Sequence, residues 1–224
     1  MQSINENESV GNKINEFVQR NRKTIFISLS IIVFLLAGLV ITLSLNDVFR
    51  KKAIAEVEEL EKRYKEVRPG LNDDSSASDV ETLIADVTSF ASKKSGLAGG
   101  KAWTIIAQIH SEKKEWPQAE EAWIAAAKAA AKTFMEPVSY YKAAVAAEEQ
   151  GKREEAIQLY EKCTAVPVEF PQAPRAQFAI GRLYEEMNDV PAAIEAYREI
   201  FIKWPAITTW VNLARSRIIV LETR

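Results

Sequence analysis

Three stretches of this chain align with one another at a spacing of 37 residues, and that repeat restricts the fold more than any other feature. Ala107, Ala144 and Gly181 fall in register, as do Ala119, Ala156 and Ala193. Trp123, Tyr160 and Tyr197 lie four residues beyond the second set, and Lys114, Gly151 and Asn188 share a further position. A fixed period in this range marks stacked supersecondary units, each burying its apolar face against its neighbours. Small residues suit points where helices cross closely. An aromatic four residues on lies one helical turn along the same face. The spacing predicts an all-α chain of stacked helical hairpins, with Ala156 and Ala193 buried at helix crossings. Such a stack has no built-in catalytic chemistry and presents surfaces for other proteins.

Each hairpin pairs two helices across a short turn, at Lys113-Lys114-Glu115, Gln150-Gly151-Lys152 and Met187-Asn188-Asp189. Pro117 and Pro191 open second helices at one register, where a missing N–H costs nothing and a fixed φ favours the helix. The three units cover 100–207, and an amphipathic helix over 208–224 caps the apolar face the last hairpin would otherwise expose. Upstream, 46–67 reads as a helix stopped by Pro69-Gly70, and the S-x-x-E of Ser78 to Glu81 reads as a capping box starting a second helix that runs to about Lys94. The run Gly96-Leu97-Ala98-Gly99-Gly100 reads as the connector ending that helix; no G-K-[ST] or G-x-G-x-x-G pattern makes it a phosphate loop. Residues 46–99 are therefore expected to form a juxtamembrane helix and a degenerate hairpin.

Residues 25–45 carry no charge and, as a helix rising ~1.5 Å per residue, would extend about 31 Å, the thickness of a bilayer's hydrocarbon core. The run exceeds the apolar core of a secretory signal, and Ser44-Leu45-Asn46-Asp47 offers no A-x-A cleavage site, so the span is expected to stay as an anchor. Lys13, Arg20, Arg22 and Lys23 precede it, and Arg50, Lys51 and Lys52 follow, nearly a tie. Long domains cross membranes largely regardless of charge whereas short tails obey the positive-inside rule. The tail 1–24 is thus expected in the cytoplasm and the rest outside a bacterial inner membrane. A single cysteine, Cys163, agrees with an oxidising compartment.

The repeats resemble the tetratricopeptide repeat (TPR) family. Its pattern of Leu-Gly equivalents and an aromatic in the first helix, then Ala-aromatic-Ala in the second, is matched by Ile180, Gly181, Tyr184, Asn188, Ala193, Tyr197, Ile200 and Pro205. Trp103, Ile106, Ala107, Trp116, Ala119 and Trp123, and Tyr140, Ala143, Ala144, Gly151, Ala156 and Tyr160, follow it less closely. The family's usual unit has 34 residues, so each connection here would be about three longer. The whole layout, a short polar tail ending in Gln19-Arg20-Asn21-Arg22-Lys23, one span and a small TPR domain, resembles the bacterial ancillary SecYEG translocon subunit family. That resemblance implies an extracytoplasmic adaptor linking the secretion translocon to periplasmic chaperones. A structural scaffold for another envelope complex, or a cytoplasm-facing TPR receptor, are the alternatives.

Little in the sequence supports chemistry. His110 is the sole histidine, so neither a His-based metal site nor a Ser-His-Asp triad has material, and no cofactor or small-molecule substrate is expected. His110 and Cys163 occupy packing positions of the repeat, and Trp103, Trp116 and Trp123 its large-residue positions. A formal net charge of −2 with interspersed charges provides no basic patch for nucleic acid.

The TPR resemblance also implies where partners dock, because first helices of TPR hairpins line a concave face. The matching positions are Gln108, Ser111 and Glu112; Tyr141, Val145, Glu148 and Glu149; and Arg175, Phe178, Arg182, Glu185 and Glu186. Tyr141 and Phe178 share one register and are expected side by side in the groove, with Arg175 and Arg182 a turn either side of Phe178. Aromatics and arginines are enriched at binding hot spots. Replacing both aromatics by alanine is expected to abolish capture without lowering the melting point.

Overall fold

The structure is a computed structural model that describes residues 3–166 and 169–223, without the side chains of 3–15, Ile25 and Asp74. Positions 1–2 and Lys13 of the expected tail, and Arg224 of the expected cap, thus lie wholly or by side chain outside the described residues. Among the described residues there are nine α-helices and no strand. They are α1 (Ser3–Val67), α2 (Ala77–Ala91), α3 (Gly96–Glu112), α4 (Trp116–Ala129), α5 (Met135–Glu149), α6 (Arg153–Ala165), α7 (Ala173–Glu186), α8 (Val190–Lys203) and α9 (Thr208–Glu222). The chain divides into two compact units, 1–52 and 53–224.

The first unit is the greater part of α1. Its apolar run is long and apolar enough to cross a membrane, and its side chains are exposed, up to 79% for Phe34. Hydroxyls within it turn inward on the helix. Ser30 donates to the Phe26 carbonyl and Thr42 to the Gly38 carbonyl, each at 2.8 Å. Such i−4 bonds satisfy a polar side chain without a water partner.

In the second unit each helix packs on the next in order from α2 to α9. Ala53, Val57 and Tyr64 of the end of α1 join Val80, Leu83 and Val87 of α2 in the core, and Arg63 pairs with Asp86 at 2.8 Å. The core continues through Ile105, Ile109, Trp123, Tyr160 and Leu183, and a second cluster joins Tyr197 and Ile200 of α8 to Ala214, Ile218 and Leu221 of α9. Ala107, Ala119, Ala144, Ala156 and Ala193 are wholly buried, as the register predicts.

Two local expectations are corrected. Helix α2 starts at Ala77 and ends at Ala91, and no side chain caps its start; Ser78 lies inside it and its carbonyl accepts the Thr82 hydroxyl. The short 3-10 turn at Asp74–Ser76 runs straight into the helix, so no extended cap position forms for the S-x-x-E motif. The glycine run is the first turn of α3, not a connector. A Cβ on Gly100 would lie 2.5 Å from that of Ala130 at the end of α4, so glycine here serves close helix approach.

Candidate protein-interaction face

The repeat register fixes backbone as well as packing. Lys114, Gly151 and Asn188 each close a hairpin turn with positive φ, at 60°, 74° and 61°. Only Gly151 adopts this left-handed geometry without a Cβ penalty. Twelve residues before each second-helix aromatic stands its acceptor. Trp123 Nε1 donates to Ser111 Oγ at 3.1 Å, Tyr160 to Glu148 Oε1 at 2.6 Å and Tyr197 to Glu185 Oε1 at 2.6 Å. Each bond ties a second helix to the first of its own hairpin and gives a buried ring its polar partner. Burial, then the neighbouring carboxylate, drives the Tyr160 and Tyr197 phenols well above the ordinary value.

Those same carboxylates join one hairpin to the next. Arg182 of α7 reaches back to Glu148 of α5 and pairs along its own helix with Glu186, at 2.5 Å. Glu186 also accepts Arg153 Nε at 3.1 Å, and Arg217 of α9 donates through Nε to Glu185 at 3.0 Å. At the other end Glu112 accepts the Tyr64 hydroxyl at 3.0 Å and Arg68 Nε at 3.1 Å. Burial, then Glu112, pushes the Tyr64 phenol up to about 12. Of the expected groove residues, Glu112, Glu148, Glu185, Glu186 and Arg182 are thus engaged within the fold. Gln108 and Val145 are half-buried and Glu149 is exposed.

The two aromatics do not lie as an open pair. Tyr141 is only 7% exposed and meets Tyr160 at 5.4 Å and Phe170 at 6.0 Å between ring centroids. Arg175 stands 5.8 Å over its ring. Phe178 packs on Tyr197 at 5.0 Å and Trp210 at 5.4 Å. Each ring faces its own helix junction, so the expectation that both could be truncated without lowering the melting point is corrected.

The single histidine and cysteine sit in the packing. His110 Nδ1 lies 2.6 Å from Glu115 Oε2 at the first hairpin turn. Burial pushes the Cys163 thiol up to about 12, leaving it un-ionised at neutral pH. Trp123 is buried, and Trp103 and Trp116 pack half-buried against the core. Among the described residues, no group of His, Cys, Asp and Glu is arranged to hold a metal ion.

Residues 141–206 match the tetratricopeptide repeat family. A TPR repeat-containing protein of Treponema pallidum (strain Nichols) is 30% identical over 228 residues, spanning 94% of this chain and 93% of that protein. The chain belongs to the TPR family. Among solved structures it is similar to the nearly identical TPR-like repeats of a Podosopora anserina protein described as a kinesin light chain, with 18% identity and a TM-score of 0.48 over 65% of this chain and 75% of that one. A second crystal structure of those repeats, carrying one substitution, gives 15% identity and a TM-score of 0.47 over 67% and 77%. TPR domains are protein-interaction modules, typically without catalysis of their own. Sequence reasoning missed Arg153, Arg217, Tyr64 and Arg68 as partners of the first-helix carboxylates. The 37-residue alignment of Ser111, Glu148 and Glu185 was the available signal for the aromatic bonds.

Proposed function

We propose that this TPR protein is a membrane-tethered adaptor, with α1 as a permanent single span and the repeats outside the cytoplasm capturing protein partners on the first-helix face. The observation that carries the reading is the juxtaposition in one chain of an apolar, charge-free run within α1, its described side chains exposed, with a TPR stack. Buried apolar surface is what a soluble helix of this composition would need. The residues after the apolar run, where a signal would be cleaved, stay helical to Val67. That continuity, and the lack of an A-x-A cleavage site at Ser44 to Asp47, support an anchor over a removed signal. The engaged carboxylates leave Gln108, Val145 and Glu149 as the groove positions open to a partner. In the finer form of the reading, that partner is the secretion translocon or a periplasmic chaperone, as the tail–span–TPR layout suggests. A reporter active only outside the cytoplasm, fused after Glu222, should be active, and the protein should stay in the membrane fraction after alkaline extraction at its uncleaved mass. A dark reporter would favour a cytoplasm-facing receptor, and a shortened soluble product would mean that α1 is a signal.

A further inference from the structure

The far side of α9 carries a seam that no other described helix covers. Helix α9 packs on its neighbours through Ala214, Ile218 and Leu221, all buried. Opposite them Thr209, Leu213, Ser216, Val220 and, just past the helix end, Thr223 are exposed, Leu213 at 45% and Val220 at 37%. Their alternating steps of four and three residues set them in one line along the helix, the spacing by which two helices pack lengthwise. Ile219, 55% exposed, flanks the line.

The seam bears no charge. By contrast, the exposed side of α6 carries Arg153, Glu154, Glu155, Glu161 and Lys162, and the end helix of a stack ordinarily keeps a polar outer face. The charges that border the seam are engaged within the fold. Arg217 is bound to Glu185, Glu222 pairs with Arg198 at 3.3 Å, and Arg215 stands 5.9 Å over the Phe201 ring. A partner selected by charge has nothing to read here, whereas an equally uncharged seam meets it without repulsion or a stranded ion. We propose that α9 pairs with α9 of a second copy of this chain, antiparallel about a two-fold axis at Ser216. That symmetry sets Leu213 against Val220 and Ile219 of the other copy, twice over, and Thr209 against Thr223. The two Ser216 side chains meet at the axis, small enough to let the helices close. A two-fold contact requires a surface that complements itself, and this seam does so residue by residue. The 15 residues of α9 extend about 22 Å. One such face is smaller than the ~800 Å² per partner of a stable complex, so pairing is weak between dilute chains and strengthens where copies share a membrane. To that extent alone the inference rests on the reading of α1 as an anchor.

The test places one reactive thiol on the seam. Cys163 is buried and its thiol is pushed up to about 12, so it stays silent at neutral pH. In membranes holding the full chain, Ser216→Cys should yield a disulfide-linked species of twice the chain mass on mild oxidation. It should form about tenfold faster than with Glu121→Cys, an exposed position of α4. Adding Leu213→Glu and Val220→Glu should slow the Ser216→Cys crosslink about tenfold, because carboxylates would then be pressed together across the axis. Circular dichroism should show unchanged helicity in that variant. Equal rates for Ser216→Cys and Glu121→Cys, no slowing by the glutamates, or a Ser216→Cys adduct with a different protein would overturn the assignment to a second copy. A failed crosslink in a chain still held in the membrane removes the pairing alone. A chain released from the membrane at a shorter mass removes the anchor, and the same crosslink on the concentrated soluble chain then decides the pairing.

Discussion

Gly181→Ala is the perturbation the packing makes most informative, because two opposing effects meet at one methyl group. Gly181 lies inside α7 with an ordinary helical backbone, so alanine gains about 1 kcal/mol of helix propensity. Against that, the new Cβ would stand 2.5 Å from Tyr197 Cε1 and 2.7 Å from Cδ1 and Cζ. Carbon atoms rest comfortably at about 3.5–4.0 Å, so ring or helix must retreat by about 1 Å. The ring has little room to do so. Tyr197 is wholly buried, its hydroxyl is held by Glu185 at 2.6 Å and Phe178 packs 5.0 Å away. Overpacking of a pinned ring belongs at the upper end of the usual ~1–3 kcal/mol. The clash should win, for a net loss of about 2 kcal/mol, or roughly 4–8 °C in Tm for a unit of this size. Tryptophan fluorescence can follow it, since Trp210 packs on Phe178 beside the site. In a double-mutant cycle Tyr197→Leu should abolish the penalty and expose the propensity gain. A Gly181→Ala protein that melts at or above the parent would refute the close approach of α7 and α8.

Tyr141→Ala should lower stability by about 3 kcal/mol, as for other buried aromatics, and chemical unfolding measures it; an unchanged midpoint would return Tyr141 to the open groove. Lys114→Gly should raise stability by about 1 kcal/mol by relieving a non-glycine residue at φ 60°, whereas Gly151→Ala should lower it by a similar amount, both readable by thermal melts. Alkaline pH should destabilise the protein. The Tyr64, Tyr160 and Tyr197 phenols are raised in the fold, so the unfolded chain gives up their protons first; this stability is intact below about pH 10 and is lost as pH climbs through the folded values. The tyrosinate absorbance of these three should then appear together with unfolding, and ionisation of all six tyrosines near pH 10 in a folded protein would contradict the buried bonds to Glu112, Glu148 and Glu185.

What could be read in the sequence was whatever repeats. Covalent spacing places Lys114, Gly151 and Asn188 at equivalent turns, and the same spacing puts Ala119, Ala156 and Ala193 at equivalent crossings, so period alone predicts both. The links between hairpins do not share the period. Arg182 reaches Glu148 across 34 residues, Arg153 reaches Glu186 across 33 and Arg217 reaches Glu185 across 32, offsets set by how neighbouring helices pack. Tyr141 occupies a groove register, yet Phe170 from the α6–α7 connection and Arg175 close over it; at the 37-residue spacing Phe170 aligns with Thr133 and Ile207, so no repeated aromatic announces the contact. The glycine run misled because composition alone cannot separate a loop from a helix start that must admit Ala130.

The most direct test of the adaptor reading is crosslinking inside cells, with a photoreactive residue in place of Gln108 or Glu149 on the first-helix face, or of the exposed Glu121 of α4 as a control. The account predicts discrete protein adducts from Gln108 and Glu149, formed with the protein in the membrane, and none from Glu121. Adducts from Glu121 alone, or equal adducts from every position, would contradict it.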